Sequence, residues 1–279
     1  MATNNAVAAV ITTMYRGDDL GYFAQALDSL VAQTWPSERL RIYLHVDGPV
    51  PESHERFLAE HSARFHRVSR GATNRGLTHG LNTLIELLED EEFVFRMDMD
   101  DLAHPERVER QIDWLDRHPD LSLIGCNSFE IDERGEIVGR RDYPETPEAI
   151  RKGIARGNAI LHPAYCMRRE LLTRHGIRYR ELYLNEDLGF LFDVLRAGLR
   201  PGNLQERLMY WRVTADFFAR RHPRRHLVEF RTYVGGIHDL FGPTTRQLYP
   251  LVRLLFRFLP NSLARRVYRS GVRDGFLGG

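Results

Sequence analysis

Between Ala6 and Met97 short apolar runs alternate with stretches of helical spacing, and this alternation narrows the fold more than any other feature of the chain. Ala6-Val-Ala-Ala-Val-Ile-Thr12 and Leu40-Arg-Ile-Tyr-Leu-His-Val46 read as strands, the second rich in the β-branched and aromatic residues that suit a pleated surface. Between them Leu20, Phe23, Leu27, Leu30 and Val31 recur at three- and four-residue spacing, one apolar helix face ending near Pro36. The pattern continues with a helix from Glu52 to Phe65, a strand over Phe65 to Ser69, a helix from Thr78 to Leu88 and a strand over Phe93 to Met97. Strands alternating with helices predict an α/β fold with a parallel sheet wrapped on both faces.

Downstream the β signals lengthen, over Leu121 to Ile131 and Ile137 to Arg141 around the turn Asp132-Glu-Arg-Gly135, before a helix near Pro147 to Arg156. These additions predict a mixed, mainly parallel sheet. A chain of 279 residues with 43% hydrophobic and 28% charged residues can bury a sizeable core, which excludes disorder as the default. We read residues 1–215 as the main domain, with halves of about 1–101 and 102–215, and 216–279 as a basic helical C-terminal extension. Fourteen arginines against four acids give the segment from Arg207 onward a charge of +10 and leave −9 for the remainder, so the extension favours anionic surfaces. Val7 to Thr13 is too short an apolar run for a secretory signal, and Arg16, Asp18 and Asp19 follow it at once, so a cytoplasmic protein is expected. Cys126 and Cys166 form no disulfide framework or zinc cluster and read as buried small hydrophobes.

In a doubly wound sheet ligands bind beyond the carboxyl ends of the strands, here Thr13 to Arg16, Asp47-Gly48 and Asp98 to Asp101. Phe93-Val-Phe-Arg-Met-Asp98-Met-Asp100-Asp101 runs a strand into three carboxylates, with Asp98 and Asp100 on one side by strand alternation. So much negative charge needs a positive partner, and a hard divalent cation bridging to a diphosphate would supply it. The competing reading makes Asp101 the cap of a helix starting near Pro105, but one cap needs one acid.

Here the chain resembles the inverting family 2 glycosyltransferases of bacterial surface-polysaccharide synthesis. Arg96-Met-Asp-Met-Asp-Asp101 with Pro105 and Arg107 matches their acidic motif. Ile11-Thr-Thr-Met-Tyr15, Val46-Asp47-Gly48 and Asn74-Arg-Gly-Leu77 followed by Leu81-Asn82 match the segments that bind their nucleotide. His162-Pro163 with Arg168, Asn185-Glu186-Asp187 and Tyr210-Trp-Arg212 match later landmarks in order, so the resemblance spans about residues 6 to 220. It implies a GT-A (Rossmann-like) fold and a hexosyltransferase-like enzyme that uses Mn²⁺ or Mg²⁺. A nucleotide-sugar donor, UDP-sugar favoured, and a glycan or lipid-linked acceptor would be its substrates. It further implies that Asp47 holds the base and Asp98 the ribose, with Thr12 and Tyr15 lining the same pocket, and a carboxylate receiving N–H or hydroxyl donors there makes charge-assisted bonds. Asp100 is assigned to the metal, with Asp98 and Asp101 beside it, and Arg75 and Arg212 to the diphosphate. His222, His226 and His238 leave the third ligand open.

Asp187 opens a helix over Leu184 to Leu195, where acids at a helix start also satisfy the dipole rule. The resemblance makes Asp187 the general base and Glu186 its orienting or acceptor-contacting neighbour. His162 reads as an acceptor-side or loop-ordering residue, His104 as a turn residue and Trp211 as packing. In the tail, Tyr249 to Pro260 is an apolar stretch with arginines four apart, continued by Arg265, Arg266, Arg269 and Arg273. Its helix of about 15 Å cannot span a bilayer. It suits either an anionic membrane surface, on the inner face of the cell membrane, or packing on the domain or across a dimer. Two alternatives compete for the whole chain. A sugar-nucleotide pyrophosphorylase needs a Gly-rich basic loop where Thr13-Met-Tyr-Arg-Gly-Asp stands, and a catalytically silent nucleotide-sugar-binding or scaffold module would have no need of Asp98, Asp100, Asp101 and Asp187. A dinucleotide fingerprint is absent after the first strand, and a nucleic-acid partner is not expected.

Overall fold

The structure, a computed structural model, describes residues 6–214 and 223–257. Its first layer follows the sequence pattern: β1 (Ala8–Met14), α1 (Leu20–Val31), β2 (Leu40–Val46), α2 (Glu52–Glu60), β3 (Arg67–Arg70), α3 (Leu77–Glu86) and β4 (Phe93–Arg96). After these come β5 (Leu102–Ala103), α4 (Arg107–Arg117), β6 (Leu121–Ile131), β7 (Ile137–Arg141), α5 (Pro147–Gly153), β8 (Cys166–Arg168) and α6 (Arg169–Thr173). The last described elements are α7 (Glu186–Arg196), β9 (Arg200–Arg212), α8 (Pro223–Phe241) and α9 (Leu248–Arg257).

The strands form one sheet in the order β3-β2-β1-β4-β8-β6-β9-β5, with β7 hydrogen-bonded to β6. Every ladder among the first four strands is parallel, with Ala8 opposite Leu40 and Phe93, as βαβ crossovers require. Beyond β4 the sheet is mixed: β8 is antiparallel to both β4 and β6, whereas β9 runs parallel to β6. Because β1 is central and covered on both faces, all its residues but Thr13 are buried, and it reads as a continuous apolar run.

Two buried clusters lie on the two faces. Val10, Phe23, Leu27, Phe95, Ile112 and Cys126 belong to one, and Ile11, Leu84, Val94, Phe190, Phe192 and Tyr233 to the other. Each such Leu or Phe contributes about 1.5–3 kcal/mol by leaving water. Both cysteines are free and buried, as small hydrophobes would be.

The C-terminal extension is partly core. Tyr233 and Ile237 of α8 are buried against α7, and a Cβ at Gly236 would collide with the ring of Phe192. The apolar tail helix begins at Leu248, so Pro250 falls in its first turn, where a missing N–H costs nothing. Arg253, expected on an outward basic face, instead points inward to Glu229 at 3.3 Å and to the Tyr233 hydroxyl. Outward on α9 are Leu248, Leu251, Val252 and Leu255. No helix among the described residues is long and apolar enough to cross a membrane. Pro260, Arg265, Arg266, Arg269, Arg273 and His222 lie outside the described residues.

Candidate functional site

The carboxyl ends of β1, β2 and β4 converge on one edge, with Met14 opposite Val46 and Ile11 opposite Arg96. Thr12 is buried, and its hydroxyl has no hydrogen-bond partner. Tyr15 is 44% exposed, and its ring covers Gly17. Asp47 follows β2, and Gly48 completes the turn with φ +83, a conformation that L side chains rarely adopt. A Cβ there would stand 2.5 Å from the Asn74 amide nitrogen, so the turn also needs glycine for room.

The Asp47 carboxylate is already engaged: Oδ1 accepts from the Arg75 N–H and Oδ2 from the Gly76 N–H, each at 2.7 Å. Asp47 therefore pins the loop before α3, which offers main-chain donors where a Gly76 side chain offers none, and it is only 4% exposed. The Arg75 side chain stands exposed beside it. His45, behind the same turn, is buried with Nδ1 on the Ser69 hydroxyl at 2.6 Å, and burial holds its ring below the usual histidine range.

The acidic run occupies the turn after β4. Met97 and Met99 are buried, Asp98 is half-buried and Asp100 exposed, so alternation extends past the strand's last ladder residue. Asp101 continues it by pointing inward, a carboxylate where an apolar side chain would be expected; its N–H closes the turn on the Asp98 carbonyl at 3.3 Å. One ligand oxygen from each of the three carboxylates can be chosen so that all lie within 4.8 Å of one another.

Three arginines shape this turn. Arg96, fully buried on β4, donates from both terminal nitrogens to the two oxygens of Asp98, one bond at 2.5 Å. Arg96 is the buried partner of this pair and Asp98 the half-exposed one, so losing Asp98 would strand a buried guanidinium, whereas losing Arg96 would leave a carboxylate that water still reaches. Arg107 is buried beneath it and donates to the carbonyls of Arg96 at 3.0 Å and Pro163 at 2.8 Å. Arg212, expected at a diphosphate, is 4% exposed and braces the turn. Its N–H donates to Asp101 Oδ1 at 2.8 Å, and its side chain to the carbonyls of Asp100 and Asp132 and to Gln25 Oε1, with the guanidinium over Tyr22. Asp101 does not cap a helix, because α4 begins at Arg107 after Glu106.

Asp101 Oδ2 is left buried with no hydrogen-bond partner. Burial first, then the charges of Asp100 and Asp98, push the Asp101 carboxyl well above the usual carboxylate range. A hard, oxygen-seeking dication would meet that deficit, and the chemistry of the donor set fits Mg²⁺ or Mn²⁺, which take one or two carboxylates with diphosphate oxygens filling other positions.

A second acidic pair lies at the start of α7. Leu184 precedes it with φ 52, a left-handed conformation that is costly for a side chain branched at Cγ. Asp187 Oδ1 accepts from the Leu188 N–H and Oδ2 from Asn158 Nδ2, both at 2.7 Å. Burial pushes the Asp187 carboxyl up, while those two donors and Arg96 pull it back. Glu186 is driven up to about 7 by burial and by the charge of Asp187. Arg96 acts electrostatically on Asp98, Glu186 and Asp187, so one buried guanidinium influences both acidic groups. His162 is buried, stacked edge-on to Tyr165 and 3.1 Å from the Tyr179 hydroxyl, and burial with Arg96 keeps it well below the usual range: it orders the core. His104 accepts from the Glu106 N–H in a turn, and Trp211 packs under Arg141.

Comparison with known proteins settles the family. The sequence profile described as "Glycosyl transferase family 2" matches residues 9–176, more than half of the chain. The chain belongs to glycosyl transferase family 2. It is 27% identical over 265 residues, 94% of this chain and 98% of the relative, to the amylovoran biosynthesis glycosyltransferase AmsE of Erwinia amylovora. Among solved structures it is similar to Staphylococcus aureus TarS residues 1–349 in complex with UDP-GlcNAc, with TM-score 0.69 and 19% identity over 95% of this chain and 76% of that one. It is also similar to the mannosyltransferase PcManGT of Pyrobaculum calidifontis in complex with GDP-Man and Mn²⁺, with TM-score 0.61 and 17% identity over 100% of this chain and 78% of that one. These neighbours share the GT-A fold, and the family 2 chain described here is a glycosyltransferase.

Within that family 2 fold the structure brings Thr12, Asp47, Asp98, Asp100 and Asp101 to one sheet edge and gives Asp187 and Glu186 a second position at the α7 N-terminus. Arg96 and Asn158 are the partners sequence reasoning passed over as individuals. A charge inside Phe93-Val-Phe-Arg96 signals a buried ion pair, whereas nothing local marks Asn158.

Proposed function

We propose that this family 2 enzyme transfers a sugar from a nucleoside-diphosphate donor, UDP-sugar favoured, to a hydroxyl of a glycan or lipid-linked saccharide in bacterial surface-polysaccharide assembly. The transfer is a metal-dependent single displacement with inversion at the anomeric carbon. The observation that carries this reading is the unpartnered, buried Asp101 Oδ2 inside an acidic trio at the carboxyl edge of the sheet. Support for the ligands comes from relatives: solved structures of the same fold are complexes with UDP-GlcNAc and with GDP-Man and Mn²⁺. Support for the pathway comes from AmsE, an amylovoran biosynthesis enzyme.

In this mechanism Thr12 and Tyr15 line the nucleotide pocket, Asp47 shapes the loop that carries Arg75, and Asp98 receives the ribose hydroxyls with Arg96 holding its carboxylate in place. Asp100, Asp101 and Asp98 would hold Mn²⁺ or Mg²⁺, which would supply positive charge against the departing diphosphate. Arg75 is the exposed cation for the diphosphate. Arg212 acts beneath, fixing the Asp100–Asp101 main chain rather than touching the donor. Asp187 takes the acceptor proton as the new oxygen–carbon bond forms and the bond to the diphosphate breaks.

The test is a thermal-shift panel of UDP-, GDP- and dTDP-sugars with Mn²⁺. Stabilisation by one base class that disappears with EDTA is expected, and no stabilisation by any of them contradicts the reading. Loss of turnover without loss of binding in the intact protein would favour the silent binding module.

A membrane partner has its own support. Leu248, Leu251, Val252 and Leu255 are spaced to share one face of α9 and are 57%, 40%, 40% and 62% exposed, in a segment rich in arginine. Flotation with anionic liposomes should carry the intact protein and should weaken on Leu251→Glu with Leu255→Glu; no flotation refutes it.

A further inference from the structure

Asn158 lies in the chain after α5, far in sequence from α7, yet its side chain crosses to the second acidic pair. Nδ2 donates to Asp187 Oδ2 at 2.7 Å, and its own Oδ1 is held by the Ile160 N–H at 3.5 Å. The Leu188 N–H occupies the other Asp187 oxygen at 2.7 Å. The Tyr165 hydroxyl meets the Asp187 carbonyl at 3.4 Å, so side chain and main chain of this residue are both tethered.

No such pair of donors is given to Glu186, one residue earlier on the same helix turn. Burial raises both carboxyls and Arg96 lowers both; what differs is the donors, since Glu186, raised to about 7, is offset by its own N–H, whereas Asp187 is offset by the Leu188 N–H and the Asn158 amide. An amide that donates to a carboxylate stabilises its charged form and, with a second donor on the other oxygen, fixes its torsion.

We propose that Asn158 is a positioning residue that orients Asp187 and selects it over Glu186 as the proton acceptor of the transfer. The inference rests on the reading of Asp187 as general base. It assigns to an amide outside the acidic motif the choice between two adjacent carboxylates. Around Asp187 the groups that answer to pH or carry charge are Glu186 on α7, Arg96 on β4, Tyr165 before β8, Tyr179 before α7, and Arg225 and Tyr233 on α8. Tyr165, Tyr179 and Tyr233 are all pushed above the usual tyrosine range, chiefly by burial, and stay neutral near neutral pH. Glu186, raised to about 7, changes charge there.

The experiment needs no acceptor. Ligand-free protein is labelled with ¹³C at aspartate and glutamate carboxyls, and Asp187 and Glu186 are followed from pH 3 to 9, assigned by Asp187→Asn and Glu186→Gln. In Asn158→Ala the Asp187 midpoint should rise by about one unit, a roughly tenfold shift in its proton affinity. In Asn158→Asp, which replaces the donor by a like charge, it should rise further. The Asp47 signal should stay where it is in both variants, which reports an intact fold. An Asp187 midpoint unmoved in both variants refutes the role of Asn158 alone. Hydrolysis of the best-bound donor in Mn²⁺ by Asp187→Asn at the wild-type rate would refute the base assignment, and the two failures are therefore distinguishable.

Discussion

The two acidic groups of this molecule differ in what surrounds them. In the turn after β4, Arg96 neutralises Asp98, but Asp101 Oδ2 is buried without a donor and Asp100 adds a further charge. At the start of α7, both oxygens of Asp187 receive N–H donors at 2.7 Å. The first group has a deficit of positive charge that a dication can fill. The second is complete in donors, while burial holds its proton affinity above the ordinary aspartate range, as the proposed base role requires. Equal acidity in the sequence thus conceals two electrostatic designs, separated by where the donors lie.

The contrast breaks most sharply with Asp187→Asn. Turnover should fall about 10²- to 10⁴-fold, with donor affinity measured by calorimetry within about twofold of wild type. Equal loss of binding and turnover would show that the two groups are one site. Next in size is Glu186→Gln. The Glu186 carboxyl lies at about 7 in the fold against 4.5 ordinarily, so the protonated fold is favoured at low pH and that stability is lost as pH rises through 7. The variant should remove this decline and gain roughly 1–3 kcal/mol at pH 8, read from urea unfolding at pH 5 and pH 8. A decline that persists in Glu186→Gln assigns it to another group. The smallest effect is expected from Asp101→Asn. Its carboxyl is also held above the ordinary range, so in metal-free protein the ionised form opposes folding as pH rises. The variant should therefore melt higher than wild type in EDTA and lose the stabilisation that Mn²⁺ gives wild type. A lower melting temperature in EDTA would mean that the ionised carboxylate is already satisfied.

The parallel half of the fold was legible because β1, β2 and β4 are mostly apolar runs of four to seven residues between helical patterns. Shorter pieces were not. Leu102–Ala103 and Cys166–Arg168 are too brief for a period to register, and their pairing depends on β9 and β6. The strand Arg200–Arg212 could be read only from Leu208, since Arg200-Pro-Gly-Asn203 carries turn residues and becomes a strand by pairing with β6.

The acidic positions were legible for the same local reason, being adjacent in sequence to a strand or helix start. Their partners were not. Arg212 braces Asp100 and Asp101 from the far end of the sheet, and its being an arginine near a tyrosine and a tryptophan gave no sign that each guanidinium nitrogen would donate inward. Asp47 reads as an Asp-Gly turn residue, and its grip on the Arg75 and Gly76 amides arises only when β2 and α3 meet. The arginine spacing in the tail suggested a basic outer face, but Arg253 found Glu229 and left leucines outside.

The central claim is that Asp98, Asp100 and Asp101 bind a dication together with a nucleoside diphosphate. Titration calorimetry of UDP and GDP into wild type and Asp100→Asn, in Mn²⁺ and in EDTA, tests it most directly. The account predicts that one nucleotide binds wild type in Mn²⁺, and that affinity drops about 10- to 100-fold, roughly 1.4–2.7 kcal/mol, on adding EDTA or on Asp100→Asn. Binding of equal strength in all four conditions would contradict it.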